Sequence, residues 1–232
     1  MSESELFQAL QAVSYAPNYR EWIFERVEKD LGETIFDVGS GLGDFLDLFL
    51  RDPKRKVILS DASGTMTSYL RERCRPFSEV RIAQGDISRD PFHAYQGLPD
   101  TVTCFNVLEH IEHDIQALKN MRQMIKPQGK LILFVPALEN LYGALDQMAG
   151  HYRRYSRRKL TNSLQAAGWK VSRIEYFNFF GMFTWFLSGK ILRQKQLHAQ
   201  TCSRLDRLVP LLAWVEKGIL PFAGQSLIAI AQ

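Results

Sequence analysis

Cysteine, proline and glycine are all sparse in this chain of 232 residues, which holds three, nine and fifteen of them respectively. Cys74, Cys104 and Cys202 are odd in number, widely separated and never paired as C-x-x-C. A disulfide framework and a cysteine zinc site are therefore excluded, and thiols in a reducing cytoplasm are the expectation. So little glycine and proline excludes collagen-like and low-complexity chains. No stretch reaches about 18 consecutive apolar residues, so none reads as a simple membrane-spanning helix. The opening MSESELFQALQAV lacks the basic start, apolar run and small-residue cleavage site of a secretory signal. What is present is a 46% hydrophobic composition, enough for a packed core and too much for disorder. Lysine and arginine outnumber aspartate and glutamate by 29 to 25, a formal net charge of +4. That excess leaves nucleic acid, an anionic membrane surface and an acidic small molecule open as partners.

Periodicity gives the order of elements. Helical spacing over Tyr19 to Leu31 stops at Gly32. Short apolar runs then alternate with helical patterns. The runs are Thr34 to Val38, Lys56 to Ser60, Val80 to Gln84, Thr101 to Asn106 and Lys130 to Val135. The helices are expected from Phe45 to Leu50, Met66 to Cys74 and about Asp114 to Ile125. This alternation predicts βαβ units and a parallel sheet covered on both faces. Beyond Pro136 an irregular segment leads to a helix over Ser156 to Ala167, a strand-like WKVSRIEYF, an aromatic stretch over Phe177 to Leu192, a helical region ending near Leu220, and a terminal strand, SLIAIA.

The strongest motif is IFDVGSGLGDF, a strand that runs into Gly39, Gly41 and Gly43. Glycines there permit positive φ and close approach of backbone N–H groups to a ligand. The spacing departs from a dinucleotide fingerprint, whose third glycine would stand where this chain has Asp44. Asp37 precedes the loop, where its charge opposes a pyrophosphate and suits a cation, so an adenosine carrying positive charge is favoured. Asp61, ending the second strand, is placed to accept from ribose hydroxyls, and Asp86, ending the third, from an adenine amino group. Each alone reads equally as a turn or helix cap.

Together, DVGSGLG, LSDAS, QGDIS and FNVLEHI resemble the successive motifs of class I S-adenosylmethionine-dependent methyltransferases. The chain is most similar there to the small-molecule group related to ubiquinone-pathway O-methyltransferases. Through NYREW, NVLEHIEHD, VPALENLYGALD, GHYRRY, YFN and PFAGQSLIA it also resembles bacterial methyltransferases found beside glycosyltransferases. The resemblance implies an α/β, Rossmann-like, seven-stranded sheet, mostly parallel with an antiparallel last strand, and a lid insertion after strand 5. It implies one domain over 1–232: an N-terminal helical lid in 1–32, a cofactor-binding core in 33–136, an insertion with acceptor-side and C-terminal helices in 137–225, and the terminal strand in 226–231. It further implies that Asp37, Gly39, Ser40, Gly41 and Gly43 hold the methionine part of S-adenosylmethionine, Asp61 and Ala62 the ribose, and Asp86 with Ile87 the adenine. Asn106 and Tyr19 would line the cofactor, and S-adenosylhomocysteine would be the product.

On the acceptor side, His151 and His110 are the candidate bases, with Tyr155 beside them; His110 reads equally as a histidine packed under the cofactor, and His113 as a solvent-facing helix start. Tyr142, Arg153 and Arg154 are candidate acceptor contacts. Seven lysines and arginines and no acid lie between Gly150 and Ile174, a block read either as a solvated face or as a recognition site for a carboxylate or phosphate. Some members bind a divalent ion through Glu-x-x-Glu-His. Here Asn106 replaces the first carboxylate of that pattern, so no metal is expected. The aromatic run YFNFFGMFTWF reads as a core or lid layer, an apolar acceptor pocket, or a membrane-surface contact flanked by Lys190, Arg193 and Lys195. The expected activity is O-methylation of a small or lipid-linked, anionic acceptor, in the cytoplasm or at the inner membrane surface. An RNA methyltransferase and a non-catalytic S-adenosylmethionine-binding regulatory subunit are the alternatives.

Overall fold

Seven short strands pair into one sheet in the order β3-β2-β1-β4-β5-β7-β6. A computed structural model describes residues 16–187, 199–218 and 222–232 of the chain. The strands are β1 (Thr34–Val38), β2 (Lys56–Asp61), β3 (Val80–Gln84), β4 (Thr101–Phe105), β5 (Lys130–Pro136), β6 (Val171–Phe177) and β7 (Ser226–Ala231). β7 runs antiparallel to both of its neighbours, while the β1–β2, β1–β4, β2–β3 and β4–β5 pairs are parallel. The expected mixed sheet with one reversed terminal strand is what forms.

Burial on both faces explains the composition of the strands. β4 and β7 are buried at every position, as strands covered on both sides must be. Alternate residues supply two cores. On one face Phe36, Val102, Leu131 and Ala229 meet Leu118, Met121, Leu160 and Leu164 of helices α4 (Asp114–Met124) and α6 (Arg157–Ala166). On the other, Ile35, Val57, Ile132 and Ile228 meet Trp22, Phe24 and Val27 of α1 (Pro17–Val27) and Leu46 and Phe49 of α2 (Leu46–Phe49). Helix α3 (Gly64–Arg73) starts at Ser63, whose hydroxyl accepts the Met66 N–H.

Two expectations change. The helix expected over Phe45 to Leu50 is a single turn, because the glycine loop takes up the chain before it and the turn at Asp52 follows directly. The segment expected as an N-terminal lid is, where described, core: Trp22, Phe24 and Val27 are buried and Trp22 packs on Phe177. The strand-like WKVSRIEYF forms β6 as expected, so the region after β5 is part of the sheet as well as a cover for it. Its covering part includes α5 (Ala144–Ala149) and α7 (Phe179–Trp185), followed by α8 (Ala199–Asp206) and α9 (Val209–Lys217).

Strand order reverses direction between β1 and β4. In open α/β sheets that switch point leaves a crevice at the carboxyl ends of the strands, where ligands bind. The glycine loop after β1 and the turn after β4 both open onto it.

Candidate active site

The crevice has a half made by backbone. After β1, Gly39 and Gly43 have φ of +67° and +74°. A side chain at Gly39 would put its Cβ 2.4 Å from Val107 Cγ2, so the loop passes directly against the turn that follows β4. At Gly43 a Cβ would lie 2.9 Å from Leu70 Cδ2, where the loop packs on α3. Serines lock the loop to the sheet: Ser40 Oγ and Ser60 Oγ both donate to the Asp37 carbonyl, at 3.0 and 2.9 Å. Asp61 Oδ2 accepts the Gly41 N–H at 3.0 Å and its Oδ1 the Ser63 N–H at 2.9 Å. Each carboxylate oxygen keeps a further lone pair. Asp86 Oδ1 accepts from the Ser88 N–H and hydroxyl, at 2.9 and 2.7 Å.

Asp37 is buried, with Thr103 Oγ1 donating to it at 2.6 Å. Burial pushes its carboxyl up to about 6, against the pull of the Thr103 and Ser40 hydroxyls and with help from the Asp61 charge. A cation placed against it restores the charged form. Burial likewise raises Asp61, against the N–H groups of Ser63, Gly41 and Ala62. Asn106 stands exposed at the end of β4 in the left-handed region, φ +53°. Ile87 is core, and its carbonyl accepts Asn120 Nδ2 at 2.7 Å. Ala62 is exposed beside Asp61. Tyr19 sits among the rings of Trp22, Phe134 and Phe177, and burial pushes its phenol up to about 12.

The facing half is made by side chains. The chain leaves β5 at Pro136 and returns beside it at Tyr155, through Leu138 N–H to Tyr155 O and Tyr155 N–H to Pro136 O. That return carries His151 to the turn after β4, where the Tyr152 N–H donates to the Glu109 carbonyl at 2.8 Å. Asp146 is the hub. Its Oδ1 accepts Arg154 Nε at 2.8 Å and meets His151 Nδ1 at 2.9 Å, and its Oδ2 accepts the Gly143 N–H at 3.0 Å. Trp185 Nε1 reaches Oδ2 at 3.4 Å, and the Arg154 guanidinium lies 4.8 Å from the Trp185 ring. Burial alone would raise the Asp146 carboxyl, but His151, Arg154 and Gly143 outweigh it and hold it below its usual value. An ionised Asp146 calls for a ring proton on His151 Nδ1, so in the neutral ring Nε2 is the nitrogen with the lone pair.

His151 Nε2 is 4.0 Å from Glu109 Oε1, and the His110 and His151 rings meet edge to face at 4.7 Å. Glu109 is fully buried, and neither carboxylate oxygen has a hydrogen-bond partner among the described residues. Burial pushes it up to about 8, opposed by its own N–H and the Arg154 charge and reinforced by Asp146. Desolvation on its inner side, then the neighbouring His151, pushes His110 down, although one edge of its ring is exposed. One ligand atom from each of Glu109, His110 and His151 falls within 4.8 Å of the others. An acid and two imidazoles form a donor set that divalent cations accept.

Two of the candidate acceptor residues are reassigned. Tyr155 is fully buried, its hydroxyl donating to Asp114 Oδ2 at 2.9 Å, and the burial and that carboxylate push its phenol far up. It braces α4 through that bond. Arg154 is equally buried, held by Asp146 and the Ala137 carbonyl, so it orients the hub. Arg153 is tied to Asp114 at 3.1 Å and to the Glu112 carbonyl. Tyr142 donates to the His151 carbonyl at 2.7 Å and so positions that residue. The cationic block dissolves in the same way: Arg157 lies over Tyr176, Lys159 pairs with Glu139 and Arg173 with Asp30. Arg158 and Lys159 share one cleft with Ser156 and Asn162. His113 is exposed at the start of α4, as expected. Asp146 was not singled out from sequence. Its place three residues after Gly143 reads as an ordinary helix-start acid.

Comparison with known proteins supplies a family and relatives of the same fold. A family model described as a methyltransferase domain matches residues 13–174. The ubiquinone/menaquinone biosynthesis C-methyltransferase of Salmonella arizonae is 30% identical over 132 residues, covering 52% of this chain and 50% of that protein. The demethylmenaquinone methyltransferase of Deinococcus radiodurans is 30% identical over 115 residues, 48% of this chain and 47% of that one. This chain thus spans about half the length of these curated relatives. The crystal structure of an S-adenosylmethionine-dependent methyltransferase from Mesorhizobium loti superposes with a TM-score of 0.62 at 17% identity, covering 90% of this chain and 97% of that one.

Proposed function

The chain belongs to the methyltransferase domain family, and on that footing we propose that it transfers a methyl group from S-adenosylmethionine to a hydroxyl of a small or lipid-linked acceptor. The observation that carries the reading is the facing of two unlike halves across the switch point: a glycine loop against Val107 on one side, and an Asp146–His151 pair against Glu109 on the other. The residues fit the donor. Gly39 lets the loop pass against Val107, Asp61 keeps lone pairs for ribose hydroxyls, and buried Asp37 gains its charge against a cation. When bound, S-adenosylmethionine supplies a methyl group on a sulfonium centre.

The protein's own part is alignment, exclusion of water and proton removal. Asp37 and the loop would hold the methionine end, Asp61 the ribose and Asp86 the adenine. Asp146 holds His151 with Nε2 bare, placing a base beside the turn that carries Asn106 and Glu109. His151 Nε2 would take the proton that the acceptor hydroxyl gives up on methylation. A second reading rests on the unpartnered Glu109 oxygens: with His110 and His151 they would hold a divalent cation at the acceptor hydroxyl. Loss of turnover on chelation, restored by zinc or manganese, would favour it.

The test uses donor labelled in its methyl group with lipid, small-molecule and RNA fractions. Label should enter a lipid or small molecule, product NMR should show a methoxy carbon, and His151→Gln should lower turnover by about a hundredfold or more. A C-methyl product, as the names of the relatives would suggest, corrects the atom. Label in RNA alone, or donor binding with no transfer to any fraction, replaces the reading with one of its alternatives.

A further inference from the structure

Over α8 and α9 the polarity of the surface is inverted. Asp206 and Glu216 turn inward, 5% and 2% exposed, while Leu205, Leu208, Leu211 and Trp214 turn outward, Trp214 to 73%. Leu205 lies on α8, Leu208 in the turn before α9, and Leu211 and Trp214, three residues apart, on one side of α9. The inward acids have a structural reason. Asp206 accepts the N–H groups of Asn18 and Tyr19 at 3.1 and 2.9 Å, at the start of α1. Glu216 accepts those of Asn178 and Phe179 at 2.9 and 2.8 Å, at the start of α7. Both carboxylates stabilise helix N-termini. The outward apolar side chains have no such reason among the described residues, and Phe222, 81% exposed, adds to them: it lies 5.7 Å from Phe179, which meets Phe183 at 5.4 Å. Large apolar side chains exposed in this number mark a binding face.

Charge selects the occupant. Arg204 and Arg207 are exposed beside Leu205 and Leu208 and form a cationic rim; Lys190, Arg193 and Lys195 lie outside the described residues. A symmetric pairing of two copies would bring this cationic rim against itself. An anionic lipid surface complements it, with headgroups meeting the arginines and acyl chains the leucines, and an interfacial tryptophan between. We propose that the face formed by α7, α8 and α9 docks peripherally on a membrane rich in anionic phospholipid. The proposal stands independently of methyl transfer. Trp185, on α7 and in contact with Asp146, joins this face to the acceptor side of the crevice, where an acceptor anchored in the bilayer would arrive.

The test is co-sedimentation of the full chain with vesicles of phosphatidylcholine alone and of phosphatidylcholine mixed with phosphatidylglycerol. Binding should require phosphatidylglycerol and weaken with salt. The double substitution Leu211→Ser with Trp214→Ser should weaken it by about tenfold while thermal melting stays unchanged, since both side chains are exposed. Arg204→Gln should weaken it about fivefold. Absence of binding to either vesicle, or binding that these substitutions leave untouched, overturns the proposal. So does a dimer of the unaltered chain that the leucine–tryptophan variant converts to monomer, because a second copy would then be the occupant.

Discussion

The two halves of the crevice are built on different principles. The half after β1, β2 and β3 is mostly backbone: positive φ at glycines, N–H groups accepted by Asp61, hydroxyls tied to the Asp37 carbonyl. The half formed by the return from β5 is a side-chain cluster, with Asp146 at its centre and His151, Arg154 and Trp185 around it. Backbone sites tolerate change in the residues around them and fail when the chain path fails. A buried charge cluster fails member by member, because each loss leaves another polar group unpaired.

The largest expected effect comes from breaking the cluster at its hub. Asp146→Ala strands the buried Arg154 charge and should cost about 3 to 5 kcal/mol in denaturant unfolding. A loss below about 1 kcal/mol would show that Arg154 finds water, and that the hub is looser than its distances imply.

Next is Glu109. Its folded value of about 8 lies above the usual carboxyl value of 4.5, so between those limits the folded chain binds more protons than the unfolded one. Stability should therefore fall as pH rises through that window and level off above it. Glu109→Gln removes the penalty and should raise Tm at pH 8 by several degrees, on the order of 5 °C, with little change at pH 5. A variant no more stable at pH 8 would mean that a cation or water already satisfies Glu109.

The smallest effect separates structure from chemistry. Tyr155→Phe deletes the hydrogen bond to Asp114 and should cost about 1 kcal/mol of stability. Turnover of the folded variant should stay within about twofold, where an acceptor-binding hydroxyl would lose far more.

The same contrast governs what could be read from the sequence. Strand boundaries such as Thr34 to Val38 and Ser226 to Ala231 follow from local apolar runs. The glycine loop announces itself because its backbone conformations demand a residue type. Nothing local tells that Tyr155 and Arg154 point inward while neighbouring Tyr152 is exposed. They lie in an irregular return with left-handed turns at Leu138 and Gly150, where periodicity carries no signal. Their roles depend on partners distant in sequence, such as Asp114 for Tyr155. The outward leucines of α8 and α9 are hidden for the same reason: nothing local tells that Asp206 and Glu216 turn inward to cap α1 and α7.

Calorimetric titration of S-adenosylmethionine into Asp61→Ala and His151→Gln in parallel tests the two-half construction most directly. The account predicts at least a tenfold loss of affinity for the first, which removes a charged acceptor, and affinity within about twofold of the unaltered chain for the second, which touches only the acceptor side. Equal affinities in the two variants would contradict it.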